Sequence, residues 1–161
     1  MLTQYIPSPF KMVAEQVELY ESSGGTQGTT NEEGLPVVIV TNHGCKTGAI
    51  RKTPLMRVVD GSSYILIASK GGAAKHPFWY YNLKSNPGVE IRDGANVYEM
   101  QVREVESPEE RQRLWDIAVE VFPPYEDYQK KTERLIPVFL AEMDDMWEME
   151  GDCFYPTSDD Q

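Results

Sequence analysis

The chain has 161 residues, 40% of them hydrophobic and 11% aromatic, enough to bury a core as one globular domain. Its formal charge of −11, from 15 basic and 26 acidic residues, argues against a nucleic-acid binder, which normally carries a basic face. Two cysteines make no disulfide framework. The start lacks the basic and apolar regions of a signal peptide, and no apolar run nears the about 20 residues that span a bilayer, so a cytoplasmic location is expected.

Taken in order, Ser8-Pro9 reads as a helix cap with proline at the first position. Phe10, Val13, Ala14, Val17 and Tyr20 then recur at helical spacing to about Glu21. Glu15, Glu18 and Glu21 flank that stripe with only Lys11. Packing on the domain is therefore favoured over anionic lipid, although peripheral membrane contact through this helix stays open. Residues 22–34 are polar and Gly/Thr-rich, a linker. Leu35 to Val40 is apolar and β-branched, a buried strand.

Thr53 to Val59, a turn at Asp60-Gly61 and Ser63 to Ser69 read as one hairpin. Lys75 to Ser85 reads as a short helix closed by Asn86-Pro87-Gly88. A second hairpin runs from Val89 to Val105, with Tyr98, Met100 and Val102 facing inward. Ser107-Pro108-Glu109-Glu110 has the form of a capping box, opening a helix with Leu114, Ile117, Ala118 and Val121 as its stripe. Pro123-Pro124 ends that helix, Tyr125 to Lys131 makes another, and Leu135 to Ala141 is a last strand. About six strands in hairpins, with helices inserted, predict an α+β protein that is mainly β, a small antiparallel barrel. The division expected is an N-terminal helix and linker over 1–34, the barrel over 35–141 and an acidic extension over 142–161.

Charge is segregated along this chain. Residues 41–86 hold seven bases, Lys46, Arg51, Lys52, Arg57, Lys70, Lys75 and Lys84, against Asp60 alone, about +6. The remainder has eight bases against 25 acids, or −17. The same stretch holds two glycine-bearing loops, residues 42–48 and 69–73, whose N–H groups can approach an anion closely. An anionic ligand is expected there. Neither a G-x-G-x-x-G fingerprint nor a Walker motif is present, and His43, His76 and Cys45 lack metal-site spacing, so no metal is expected.

Three segments resemble the deazaflavin-dependent nitroreductase family, actinobacterial oxidoreductases that use reduced coenzyme F420. They are Gly44-Cys45-Lys46-Thr47-Gly48 continuing to Arg51-Lys52-Thr53-Pro54-Leu55, residues 68–87 from Ala68-Ser69-Lys70-Gly71-Gly72 to Asn86-Pro87, and residues 122–138 around Tyr125 and Tyr128. The resemblance runs from about Leu35 to Leu140 and departs at Cys45, where the family usually has arginine. It implies a split β-barrel related to the FMN-binding pyridoxamine-phosphate-oxidase-like fold. It also implies a cofactor with a phosphodiester and a glutamate tail.

By position the resemblance implies that Lys46, Gly48 and Arg51 hold phosphate and tail. Pro54 and Leu55 would wall the ring, and Ala68, Ser69, Lys70, Gly71 and Gly72 would cradle its edge, with Lys75 at the mouth. Trp79 and Asn82 would support the site. Tyr125, Tyr128 or the Ser69 hydroxyl would donate to the acceptor as hydride arrives. The reaction implied is reduction of an electron-poor quinone, enone or nitro-aromatic, a small-molecule partner. FMN as cofactor of the same barrel, and a non-catalytic F420 carrier, are the alternatives. Both monomer and homodimer are compatible with the resemblance.

Overall fold

The computed structural model describes residues 4–143. Its frame is one curled, seven-stranded antiparallel sheet in the order β2-β1-β5-β6-β7-β4-β3. The strands are β1 (Val37–His43), β2 (Ile50–Met56), β3 (Val59–Asp60), β4 (Ser63–Ile67), β5 (Gly88–Asp93), β6 (Asn96–Glu104) and β7 (Val138–Met143). Four helices attach to it: α1 (Lys11–Ser22), α2 (Phe78–Ser85), α3 (Pro108–Val121) and α4 (Pro124–Lys131). The α+β half-barrel expected from the hairpin pattern is present.

Three strands carry unbroken apolar runs, residues 37–40 of β1, 64–67 of β4 and 138–141 of β7, which are covered on both faces. In β1, Val38 and Val40 enter the barrel core while Val37 and Ile39 pack under Val17 and Tyr20 of α1. In β4 and β7, Leu66, Phe139 and Ala141 face the core, and Ile65, Ile67, Val138 and Leu140 face Leu114, Trp115 and Ala118 of α3 and Tyr125 of α4. β6 shows the other pattern. Met100 and Val102 are buried, and Glu99, Gln101 and Arg103 alternate with them on the exposed side.

Several expectations need correction. Residues 50–56 pair with β1, from Val37↔Met56 to His43↔Ile50, and not with the strand that follows them. Only Val59 and Asp60 form the expected hairpin with Tyr64 and Ser63. The break falls at Arg57, whose N–H donates to Pro36 O (3.0 Å) and whose Nε holds Asp93 at 2.9–3.0 Å. α1 starts at Lys11, after an extended Phe10, because Ser8 Oγ accepts from Phe10 N (3.1 Å) rather than from a helical N–H. The residues before it lie along the β2 edge, where Ile6 N donates to Ile50 O (3.0 Å) and Ile50 N donates to Gln4 O (2.9 Å).

The capping box is half formed: Ser107 Oγ accepts from Glu110 N (3.3 Å), but Arg103 takes the Glu110 carboxylate at 2.8 and 3.1 Å. The last strand begins at Val138, since Pro137 and the Gln129 contacts hold residues 134–136 out of the sheet. Glu142 and Met143 belong to that strand, and the rest of the acidic extension lies outside the described residues. Among the described residues, no helix is long and apolar enough to cross a membrane.

α1 is locked to the sheet by one fully buried phenol. Tyr20 Oη lies 3.1 Å from Val37 O and 3.2 Å from Arg92 O, and it accepts from Gly94 N at 2.7 Å. Tyr20→Phe removes the acceptor of Gly94 N and the phenol's donation to a strand carbonyl, so urea denaturation should show a loss of about 1–3 kcal/mol.

Candidate functional site

β2 and the start of α2 line two cavities. The first, about 380 Å³, is bounded by Thr53, Pro54, Leu55 and Met56, by Ser69, Lys70 and Gly71, by Pro77 and Trp79, and by Phe122, Tyr125 and Tyr128. Gln16 of α1, Asn31, Val37 and Ile67 complete its lining. The second, about 540 Å³, is bounded by Gly44, Cys45, Lys46, Thr47, Arg51, Phe78, Tyr81 and Asn82. One residue of β2, Lys52, separates the linings, Arg51 belonging to one and Thr53 to the other.

The expected residues are thus largely brought together. Pro54, Leu55, Ser69, Lys70, Gly71, Trp79, Tyr125 and Tyr128 share the first cavity, and Lys46, Arg51 and Asn82 share the second. Ala68, Gly72, Gly48 and Lys75 line neither. Ala68 is fully buried and its N–H donates to Pro137 O (3.0 Å). Gly48 closes the first glycine loop by donating to Gly44 O (2.9 Å), and Lys75 is exposed. Gln16 and Asn31 carried no sequence signal, because their place in the lining depends on how α1 and its loop pack, and Phe122 opens the segment 122–138 without an implied role.

The polar interior explains how the first loop is held. Buried Asn82 donates to Asn42 Oδ1 (3.0 Å) and accepts from Cys45 N (3.0 Å), tying that loop to α2. Trp79 packs against Phe139, centroids 5.8 Å apart, so it belongs to the core as well as to the cavity wall.

The second loop is a left-handed turn. Lys70 (φ 47°), Gly71 (φ 63°) and Gly72 (φ 83°) are consecutive, and Lys70 is the one described non-glycine residue with positive φ. Gly72 N donates to Ser69 O (2.9 Å) and Ala73 N to Lys70 O (3.1 Å). The N–H groups of Ser69, Lys70 and Gly71 have no acceptor among the described residues, and these three residues line the first cavity. Successive free N–H groups of this kind suit an anion or a carbonyl-rich ring edge.

The bases divide into two groups. Lys52 pairs with Glu21 (2.7 Å), Arg57 with Asp93 (2.9 Å) and Lys84 with Glu104 (2.9 Å), so three of the seven in residues 41–86 serve the fold. Lys46, Arg51, Lys70 and Lys75 have no acidic partner among the described residues. Lys70 lies over the exposed Phe78 ring at 5.7 Å.

Tyr125 is buried against Trp115, Phe122 and Tyr128, with centroids 6.2, 5.0 and 6.1 Å away. Burial, and then the neighbouring Tyr128, push its phenol well above the ordinary tyrosine value, so it stays a protonated donor.

A half-barrel whose bases lack acidic partners among the described residues, with a free N–H turn beside an aromatic cavity, is a frame for an anionic ligand with an aromatic part. Residues 12–143 match the family described as F420H(2)-dependent quinone reductase, and the chain belongs to that family. The relationship is thus to F420-dependent reductases, under the description of quinone reductase rather than nitroreductase. The F420H(2)-dependent quinone reductase Rv1261c of Mycobacterium tuberculosis is 36% identical over 124 residues, covering 76% of this chain and 83% of that protein. A solved structure described as F420-H2 dependent reductase (FDR-A) is 50% identical with a TM-score of 0.63, covering 66% of this chain and 94% of that one. A second, described as a domain-swapped dimer, is 47% identical with a TM-score of 0.65, covering 84% of this chain and all of that one.

Gly72 has no room for a side chain: a Cβ there would stand 2.7 Å from Tyr128 O and 3.0 Å from Tyr128 Cα, both backbone. Gly72→Ala should therefore push α4 off the turn, lowering stability by about 1–3 kcal/mol in chemical denaturation.

Proposed function

We propose that this protein reduces a quinone-type acceptor with hydride drawn from reduced F420, in the two cavities that β2 and α2 share. The observation that carries the reading is the set of four bases, Lys46, Arg51, Lys70 and Lys75, without acidic partners among the described residues. They lie in the stretch 41–86, where the other three bases are paired, and in a chain of net charge −11. A phosphodiester with a glutamate tail supplies the several negative charges such a set can neutralise. FMN, with one phosphate, would leave most of them uncompensated.

Lys46 and Arg51 hold the phosphate and tail at the larger cavity. Ser69, Lys70 and Gly71 present their free N–H groups to the ring edge, and Pro54, Leu55 and Trp79 form its apolar walls. When bound, the reduced deazaflavin supplies a hydride and no readily transferred single electron. The acceptor lies in the aromatic part of the smaller cavity, within hydride reach. Tyr125 donates to the acceptor's oxygen, its high pKa keeping the proton available and its position stabilising the charge that develops. Tyr128 orients Tyr125, and the Ser69 hydroxyl is a second donor. The chain is an enzyme in this reading, and its N-terminal helix and linker act as cavity wall through Gln16 and Asn31. The likeness to a domain-swapped dimer supports a homodimer as the assembly.

Stopped-flow mixing of the protein with reduced F420 and a quinone tests this directly. Oxidised deazaflavin absorbance should return in a protein-dependent way, and no return with several quinones contradicts the reading. Arg51→Ala should raise Kd for F420 about tenfold with kcat at saturation nearly kept, and Tyr125→Phe should lower kcat/KM about tenfold or more at unchanged Kd.

A further inference from the structure

Between α4 and β7 one side chain is spent entirely on the left-handed turn. The Arg134 guanidinium donates through Nε to Ala73 O (2.8 Å), through Nη1 to Ala68 O (3.2 Å) and through Nη2 to Ser69 O (2.8 Å). Nη1 also lies 2.9 Å from His76 Nδ1. The backbone of Arg134 is fixed in turn, its carbonyl accepting from Gln129 Nε2 (2.8 Å) and its N–H donating to Thr132 Oγ1 (3.3 Å). Arg134 has no acidic partner among the described residues and lines neither cavity.

A left-handed Lys70 is unfavourable for a residue with a Cβ, so the turn needs an external hold. The planar fork of arginine suits several carbonyls at once, which a lysine ammonium does not. We infer that Arg134 is a positioning residue of the cofactor site: it collects the carbonyls of the Ala68–Ala73 loop and so keeps the N–H groups of Ser69, Lys70 and Gly71 free for the ligand. The inference rests on the cofactor reading above.

His76 completes the clamp. Arginine has no acceptor, so Nδ1 must accept, which puts the proton on Nε2 and leaves the ring neutral. Burial, and then the Arg134 charge, hold the His76 pKa below the ordinary histidine value, while Glu104 of β6 opposes them. The Tyr80 and Tyr81 rings of α2 lie 4.2 and 6.0 Å from the imidazole, and Glu104 is itself taken by the Tyr80 hydroxyl (3.1 Å) and Lys84 (2.9 Å). Protonation of His76 removes the acceptor and sets two cations against each other. The clamp is therefore intact above the lowered pKa and lost as pH falls through it.

The test is fluorescence titration of the full chain with F420 at steps from pH 7.5 down to 4.5, for the wild type, Arg134→Lys and His76→Asn. Arg134→Lys should weaken binding about tenfold or more at pH 7.5, with kcat at saturating cofactor within about threefold. Wild-type affinity should fall, as pH drops through the lowered His76 pKa, by more than that of His76→Asn, whose amide oxygen accepts from Arg134 without titrating. The asparagine variant also accounts for the ligand's own ionisation, and it probes the clamp with Arg134 in place. Wild-type affinity in Arg134→Lys, or identical pH profiles for the wild type and His76→Asn, overturns the clamp alone. A wild type that binds no F420 overturns the cofactor reading and the clamp together.

Discussion

Strands β1, β4 and β7 are apolar on both faces, and that constraint organises the molecule. A two-sided apolar strand must be covered twice, once by the barrel core and once by a helix. α1 covers Val37 and Ile39, while α3 and α4 cover Ile65, Ile67, Val138 and Leu140. The covering has a functional result. α1 brings Gln16 to the smaller cavity, and α4 brings Tyr125 and Tyr128 to the same space as the turn after β4. The wall of the smaller cavity is therefore built from the elements that the core needs anyway.

Charge works as a second layer on that frame. The paired bases join elements: Lys52 ties β2 to Glu21 of α1, Arg57 ties the end of β2 to Asp93 of β5, and Lys84 ties α2 to Glu104 of β6. Each is at least partly buried on one side, where an ion pair is screened less than at the open surface. Lys46, Arg51, Lys70 and Lys75 take no part in this stitching. None of the described acids pairs with them, and Lys46, Arg51 and Lys70 line the two cavities.

Much of this was legible in the residues. Period-two patterning placed Met100 and Val102 inward, and the glycine loops among bases are the ones whose residues line the two cavities. The partner of residues 50–56 was not legible, because apolar pattern and a nearby Asp60-Gly61 turn fit a hairpin as well as the observed pairing with β1. Nor was the role of Arg134, since its four contacts join residues 58 to 66 positions apart. Gln16 and Asn31 were hidden for the same reason: a helix face reads as amphipathic without saying which cavity it borders.

The most direct measurement is the dissociation constant for F420 beside that for FMN, each at low and at high salt. If the unpaired bases hold a multiply charged tail, F420 binds more tightly than FMN, and the gap narrows as salt screens the exposed charges. Equal or tighter binding of FMN, or a gap indifferent to salt, would contradict the assignment of those bases.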